Sequence, residues 1–315
     1  MQLPRFIVAY ATALLSAPWR FSLVYLSLIT QTSHDYLTRG LQQKYSWKQL
    51  LAVLLHNRLL SQGYLIIDET DVDKSFAKYI PCLSWIFSHR KNKHIFGLHI
   101  VLIVWTNKKI TIPIAWKIYD KKSGKTKIDL ALELIKYTLF ILRIQPEAFL
   151  FDSFYASETI LKFLINHKQI FHSQLPKNRK LNNILLSKTH NGKPYWVETG
   201  VIKGSIKVQV VRNRRKYYVT NAIGISREDQ LKTYKIRWKI EQVFRFIKTE
   251  LGFEHCQSQS LTGQNNHFGT CFYLYATLQD IAEKNQMTDY CIKLQATLNH
   301  NFVNLLDPST FISTA

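Results

Sequence analysis

The chain has 315 residues, 46% hydrophobic and 13% aromatic, which excludes a largely disordered protein and leaves room for one large domain or two smaller ones. Lys and Arg number 42 against 21 Asp and Glu, a net charge of +21, so the expected partner is a polyanion, either nucleic acid or an acidic membrane surface. Four cysteines (Cys82, Cys256, Cys271, Cys291) stand far apart without metal-ligand spacing, which argues against a zinc site or a disulfide framework and for a reducing interior.

Residues 1–58 read as helices. FIVAYATALLSAPW follows a lone Arg5 like the apolar core of a signal peptide, but Pro18 and Arg20 interrupt it. No charge-free apolar run reaches the length of about 18 residues that a membrane span needs, so a buried helical hairpin is expected. SWKQLLAVLLHNRLL is a further helix with Ser46 as its N-cap. After Gly63, YLIID (64–68) is a short apolar strand ending in an acid. Residues 97–120 alternate as a hairpin around TNKK, and 127–142 has helical periodicity. AFLFD (148–152) is a second apolar strand ending in an acid, followed by a helix at 156–169 and the strand IFHSQL. Residues 190–225 are β-rich, punctuated by Gly200, Gly204 and Asn213. One long helix is expected from Ser226 to Leu251 with Gly252 as its C-cap, then a packed helix over 267–285. This order predicts an α/β protein whose mixed sheet is buried on both faces. The division expected is a helical segment at 1–58, an α/β domain at 59–260 with a β-rich insertion at about 190–225, and a helical tail at 261–315.

The positive charge lies in clusters: HRKNKH (89–94), KKSGKTK (121–127), KNRK (177–180) and RNRRK (212–216). Spread in this way, they fit a broad groove of phosphate contacts better than a disordered arm, with Arg212, Arg214 and Arg215 as candidate DNA contacts.

Asp68 and Asp152 stand in matching contexts, each closing an apolar strand. Ligands of open α/β sheets gather at such strand ends. Glu69 should point to the opposite side of its strand, and Asp71 and Asp73 should lie further into the loop. YKIRWKIEQVFRFIK (234–248) then places Tyr234, Arg237, Glu241 and Lys248 within roughly 60° of helical arc, apart from an apolar stripe of Ile236, Ile240, Val243, Ile247 and Leu251. Arg245 shares the polar face and is expected at the surface. Asp68, Asp152 and Glu241 would form a set of hard oxygen donors suited to Mg²⁺ or Mn²⁺, with room for two ions and in-line displacement at phosphorus. Taken singly, each strand-end Asp is more readily a turn cap, and the helix face as readily an ordinary lattice of surface ion pairs.

Tyr234, Arg237, Glu241 and Lys248 spell Y-x2-R-x3-E-x6-K, and this spacing resembles the signature of the insertion-sequence transposases of the hairpin-forming DDE branch. IIDET (66–70) and FDSFYAS (151–157) resemble that family's first and second aspartate motifs, and a β-rich insertion before the glutamate is also characteristic of it. The resemblance spans about residues 60–255. It implies an RNase H-like core in which Asp68, Asp152 and Glu241 are the catalytic metal ligands. Tyr234, Arg237 and Lys248 would hold the terminal phosphates. Trp196 in the insertion would receive an unstacked base, with an ordinary core position as the equal alternative. It further implies cleavage of double-stranded DNA at transposon ends through a hairpin, strand transfer into target DNA, a homodimer on DNA, no membrane, and a bacterial, nucleoid-associated location in the cytoplasm. The alternatives are a catalytically inactive DNA-binding relic or repressor of the same fold, and a structure-selective nuclease, which leaves the helix motif unexplained.

Overall fold

The computed structural model describes residues 3–56, 63–88 and 92–298; His89, Arg90 and Lys91 of the first basic cluster fall outside them. Four helices, α1 (Arg5–Ser16), α2 (Leu23–Thr30), α3 (His34–Leu41) and α4 (Trp47–His56), precede the sheet. Of the expected hairpin, α1 is buried along most of its length. On α2 only Leu26 is buried, while Val24 and Leu28 are exposed. Among the described residues, no helix is long and apolar enough to cross a membrane.

The sheet contains β1 (Tyr64–Asp73), β2 (Ser84–Ser88), β3 (Lys93–Thr106), β4 (Thr111–Ile118), β5 (Ala148–Phe151) and β6 (Phe171–Leu175). A small separate pair, β7 (Lys180–Leu181) and β8 (Ile184–Leu185), leads to β9 (Tyr195–Ile202), β10 (Ile206–Asn213) and β11 (Lys216–Thr220). The strand order is β2-β3-β1-β5-β6-β11-β10-β9, with β4 pairing the second half of β3. β1, β5 and β6 run parallel, and the other pairs of this sheet are antiparallel. The β-rich insertion is therefore not a separate lobe: β11 pairs with β6 and extends the main sheet.

Alternation along the strands sorts side chains between two cores, as a period of two requires. Ile66, Leu102 and Leu150 face a layer built from α1, α4, α8 (Trp238–Glu250) and α9 (Leu261–Lys284). Leu65, Ile67, Phe149 and Phe151 face α5 (Lys127–Lys136) and α6 (Glu158–Asn166). Polar side chains fix where helices start: Thr126 and Asp129 form a capping box on α5, and Ser157 caps α6. The last turn of α5 widens into a π-helical turn at Tyr137–Ile141. α9 begins at Leu261 rather than near residue 267 because Ser260 caps it there, accepting the Gly263 amide. A further helix, α10 (Asp289–Leu298), packs on α1 and α9.

The long helix expected from Ser226 to Leu251 is broken. α7 (Arg227–Lys235) ends, and Ile236 and Arg237 form a tightened turn before α8. There Ile236 N donates to Thr233 O, Arg237 N to Tyr234 O and Ile240 N to Arg237 O, all three-residue steps. The turn keeps the Tyr234 ring against Tyr218 of β11, 5.1 Å between centroids, while α8 packs over β1. Gly252, just past α8, has φ +62°, and a Cβ there would stand 2.2 Å from the Phe21 ring, so only glycine fits.

Candidate active site

β1 and β5 set the geometry. Ile67 pairs with Phe151, so Asp68 and Asp152 follow one residue later on adjacent parallel strands. Asp68 follows the alternation of Tyr64 and Ile66 toward the α8 face, whereas Glu69 follows Leu65 and Ile67. Glu69 accepts from Lys127 Nζ at 2.5 Å and from Tyr155 Oη at 2.8 Å. Asp68 does not close its strand, because β1 runs on to Asp73 with β3 as its partner; Asp68 lies where β5 ends. Asp71 and Asp73 are thus strand residues, not loop residues. Asp71 Oδ1 is 2.8 Å from His99 Nδ1, and Asp73 Oδ1 accepts from the amide and hydroxyl of Ser75.

A cavity of about 850 Å³ opens at this point, lined by Asp68, Asp152 and Glu241 together with Lys127, Phe154 and Lys248. Arg237 pairs with two of these acids. Its Nη1 donates to Asp68 Oδ2 at 2.7 Å and its Nη2 to Glu241 Oε1 at 2.5 Å, with side-chain exposures of 17%, 17% and 31% for Arg237, Asp68 and Glu241. Lys248 Nζ donates to Asp71 O at 2.5 Å and pairs with Glu254 Oε1 at 2.8 Å, tying the far end of α8 to β1. Tyr234 is buried, and the Arg237 guanidinium lies 5.8 Å from its ring centroid. Arg245 is exposed, as its place off the motif suggests.

Burial raises the Asp68 carboxyl to about 7 against the pull of Arg237, and the charge of Asp152 adds to the rise. Burial also raises Asp152, offset by the amides of Tyr155 and Phe154 that its Oδ1 accepts. These are desolvated anionic oxygens facing one cavity, a donor set that fits a hard divalent cation. The three acids do not, however, converge as expected. Among the described residues no group of three or more His, Cys, Asp or Glu stands close enough to hold a metal ion, and Arg237 takes the space between Asp68 and Glu241.

Trp196 lies on β9 in the core, 8% exposed, beside His190 and Tyr217 at 5.0 and 6.0 Å. Its indole Nε1 is buried without a hydrogen-bond partner. Arg212 stacks over Tyr217, and Arg214 and Arg215 are exposed in the β10–β11 turn. That turn borders a second cavity of about 1210 Å³, where Asn213 and Lys216 face Lys232, Tyr234 and Arg237. Sequence reasoning did not single out Lys127, Phe154 or Tyr155 as site residues. Phe154 and Tyr155 sit inside the second aspartate motif, which was a usable signal. Nothing in KKSGKTK marks Lys127 apart from its neighbours.

A family model of the Transposase DDE domain matches residues 61–276. No curated protein matches the chain. Among solved structures, the cryo-EM structure of the piggyBac transposase synaptic complex with hairpin DNA superposes with a TM-score of 0.59. The likeness covers 98% of this chain and 72% of that one at 9% sequence identity, and so it is a likeness of fold, consistent with an RNase H-like core.

Proposed function

The chain belongs to the Transposase DDE domain family, and from that premise we propose that it is a cut-and-paste DNA transposase of the hairpin-forming branch, acting with Asp68, Asp152 and Glu241. The catalytic unit is 59–260, carrying the insertion at 190–225 and working as a dimer on DNA. The observation that carries this reading is the junction of β1, β5 and α8: Asp68 and Asp152 follow in step on adjacent strands, the first turn of α8 brings Glu241 to the same cavity, and Arg237, in the turn before α8, pairs with Asp68 and Glu241.

The three carboxylates would hold Mg²⁺ or Mn²⁺, which when bound supplies charge neutralisation at the attacking and departing oxygens of phosphodiester cleavage. The remaining work falls to the chain's own groups. Arg237 has the planar fork that brackets a phosphate, and Lys248 brings an ammonium from α8. The Tyr234 ring stands beside the Arg237 guanidinium. Phe154, half exposed at the cavity rim with Lys127 Nζ 4.5 Å from its ring centroid, limits how a strand enters. Trp196 keeps its assignment as base receptor only if the insertion opens, since its ring now lies in the core.

End-labelled DNA carrying the sequence that flanks the reading frame, resolved on denaturing gels, separates nicked, hairpin and joined products. Wild type should form all three. Arg237→Ala should leave first-strand nicking partly active and selectively reduce the hairpin, where the strand must bend sharply; Lys248→Ala should behave similarly but more mildly. Equal losses at both steps would assign these residues to general binding, and absence of any cleavage by wild type would favour an inactive DNA-binding relic.

A further inference from the structure

Arg237 touches acids from both the sheet and the helix. A single guanidinium donates to Asp68 on β1 and to Glu241 on α8, and it also draws on the charge of Asp152. It thereby supplies to the carboxylates the same service a divalent ion would: positive charge and directed contacts inside a desolvated pocket. Its backbone stands in the turn between α7 and α8 rather than within either helix, and its side chain borders the second, lysine-lined cavity as well as the carboxylates.

We propose that Arg237 is an internal placeholder for the divalent cation, holding Asp68 and Glu241 while DNA is absent and leaving them for a DNA phosphate when the strand arrives. The proposal rests on the reading of Asp68, Asp152 and Glu241 as metal ligands. A guanidinium cannot lose its charge, so it must be moved rather than neutralised, and a phosphate oxygen pair is the partner that matches its fork. Metal and DNA then bind with positive coupling, and because coupling is reciprocal each must tighten the other. Arg237 acts here as a positioning residue: it decides when the carboxylates become free to take a cation.

The test is Mn²⁺ binding to the full chain, followed by electron paramagnetic resonance of free Mn²⁺, with and without saturating duplex DNA. In wild type the Mn²⁺ affinity should rise at least about tenfold when DNA is added. Arg237→Ala should bind Mn²⁺ at least about tenfold more tightly than wild type without DNA, with little further gain from DNA. Arg237→Gln repeats the test should the alanine variant fold poorly. Arg237→Lys, which keeps a charge but cannot bracket two acids, should fall between. Both neutral variants matching the DNA-free affinity of wild type, at a site abolished by Asp68→Asn, would overturn the placeholder role and leave the metal assignment standing. Absence in every protein of an Mn²⁺ site sensitive to Asp68→Asn, Asp152→Asn or Glu241→Gln would overturn the metal assignment and the placeholder role together.

Discussion

Asp68 and Asp152 each follow one member of the register pair Ile67–Phe151, so two carboxylates leave neighbouring parallel strands side by side. A fold that serves stability alone gains nothing from two largely desolvated carboxyls at that spacing, because burial raises both and the charge of Asp152 adds to the rise of Asp68. Sites of this kind trade stability for chemistry.

That trade predicts a gain of stability on losing one charge. Asp152 Oδ1 accepts the amides of Phe154 and Tyr155, and Asn at this position keeps an oxygen for both. The carboxyl is raised above 3.8 by burial, so the folded state disfavours its ionised form. The penalty is absent below the unfolded value and present in full once pH passes the folded one. In chelator and without DNA, Asp152→Asn should therefore melt higher than wild type near neutral pH, with the gap closing in acid. A lower midpoint for the variant at neutral pH contradicts the argument.

His267 supplies a pH dependence of the opposite sign. It is fully buried on α9 between Tyr10 and Gly252. The Gly252 carbonyl can only accept, so Nε2 carries the proton and Nδ1 accepts from the Tyr10 hydroxyl at 2.9 Å. Burial lowers its pKa from 6.5 to about 3, and burial lowers His172 to about 4. A base held neutral in the fold contributes stability that is complete above 6.5 and lost as pH falls toward the folded value. Each group in its window contributes up to about 1.4 kcal/mol per pH unit. Denaturant midpoints should fall from pH 6.5 to pH 4, and His267→Gln should flatten part of that slope; a flat wild-type profile contradicts the assignment.

Gly252→Ala should destabilise the protein by more than about 1 kcal/mol, because the position needs both positive φ and the absence of a Cβ. The Cβ would meet the Phe21 ring at 2.2 Å. In a Phe21→Ala background the steric part should vanish and the φ part remain, so the substitution should cost less there. Equal costs in the two backgrounds would remove the packing argument.

How much of this was legible in the sequence follows from the range of the forces involved. Short apolar strands buried on both faces declare themselves by composition, and so YLIID and AFLFD are found where expected. The far half of β1 was hidden because ETDVD is polar, and only pairing with β3 makes it a strand. The break at Ile236–Arg237 was hidden because no Gly or Pro marks it; tertiary contacts of Tyr234 and Arg237 bend a segment whose propensity favours one helix. The four-residue spacing of Arg237 and Glu241 announced an ion pair. That the same guanidinium also reaches Asp68, 169 residues away, is a long-range fact that local spacing does not carry.

With +21 net charge and exposed arginines in the β10–β11 turn, DNA affinity should fall steeply with salt, since every phosphate contact releases condensed counterions. Replacing Arg214 and Arg215 together by Ala should weaken binding to all sequences alike and lower the salt slope by about 2. An unchanged slope in the double variant places the DNA elsewhere.

The central claim is that Asp68, Asp152 and Glu241 act together in cutting DNA. Its most direct measurement compares binding and cleavage in the same samples: wild type, Asp68→Asn, Asp152→Asn and Glu241→Gln, on DNA bearing the flanks of the reading frame, with Mg²⁺ or with chelator. Each variant should retain DNA binding within a few-fold of wild type and lose cleavage by at least about a thousandfold, to the level of wild type in chelator. Any one of the three variants cleaving at the wild-type rate in Mg²⁺ would contradict the account.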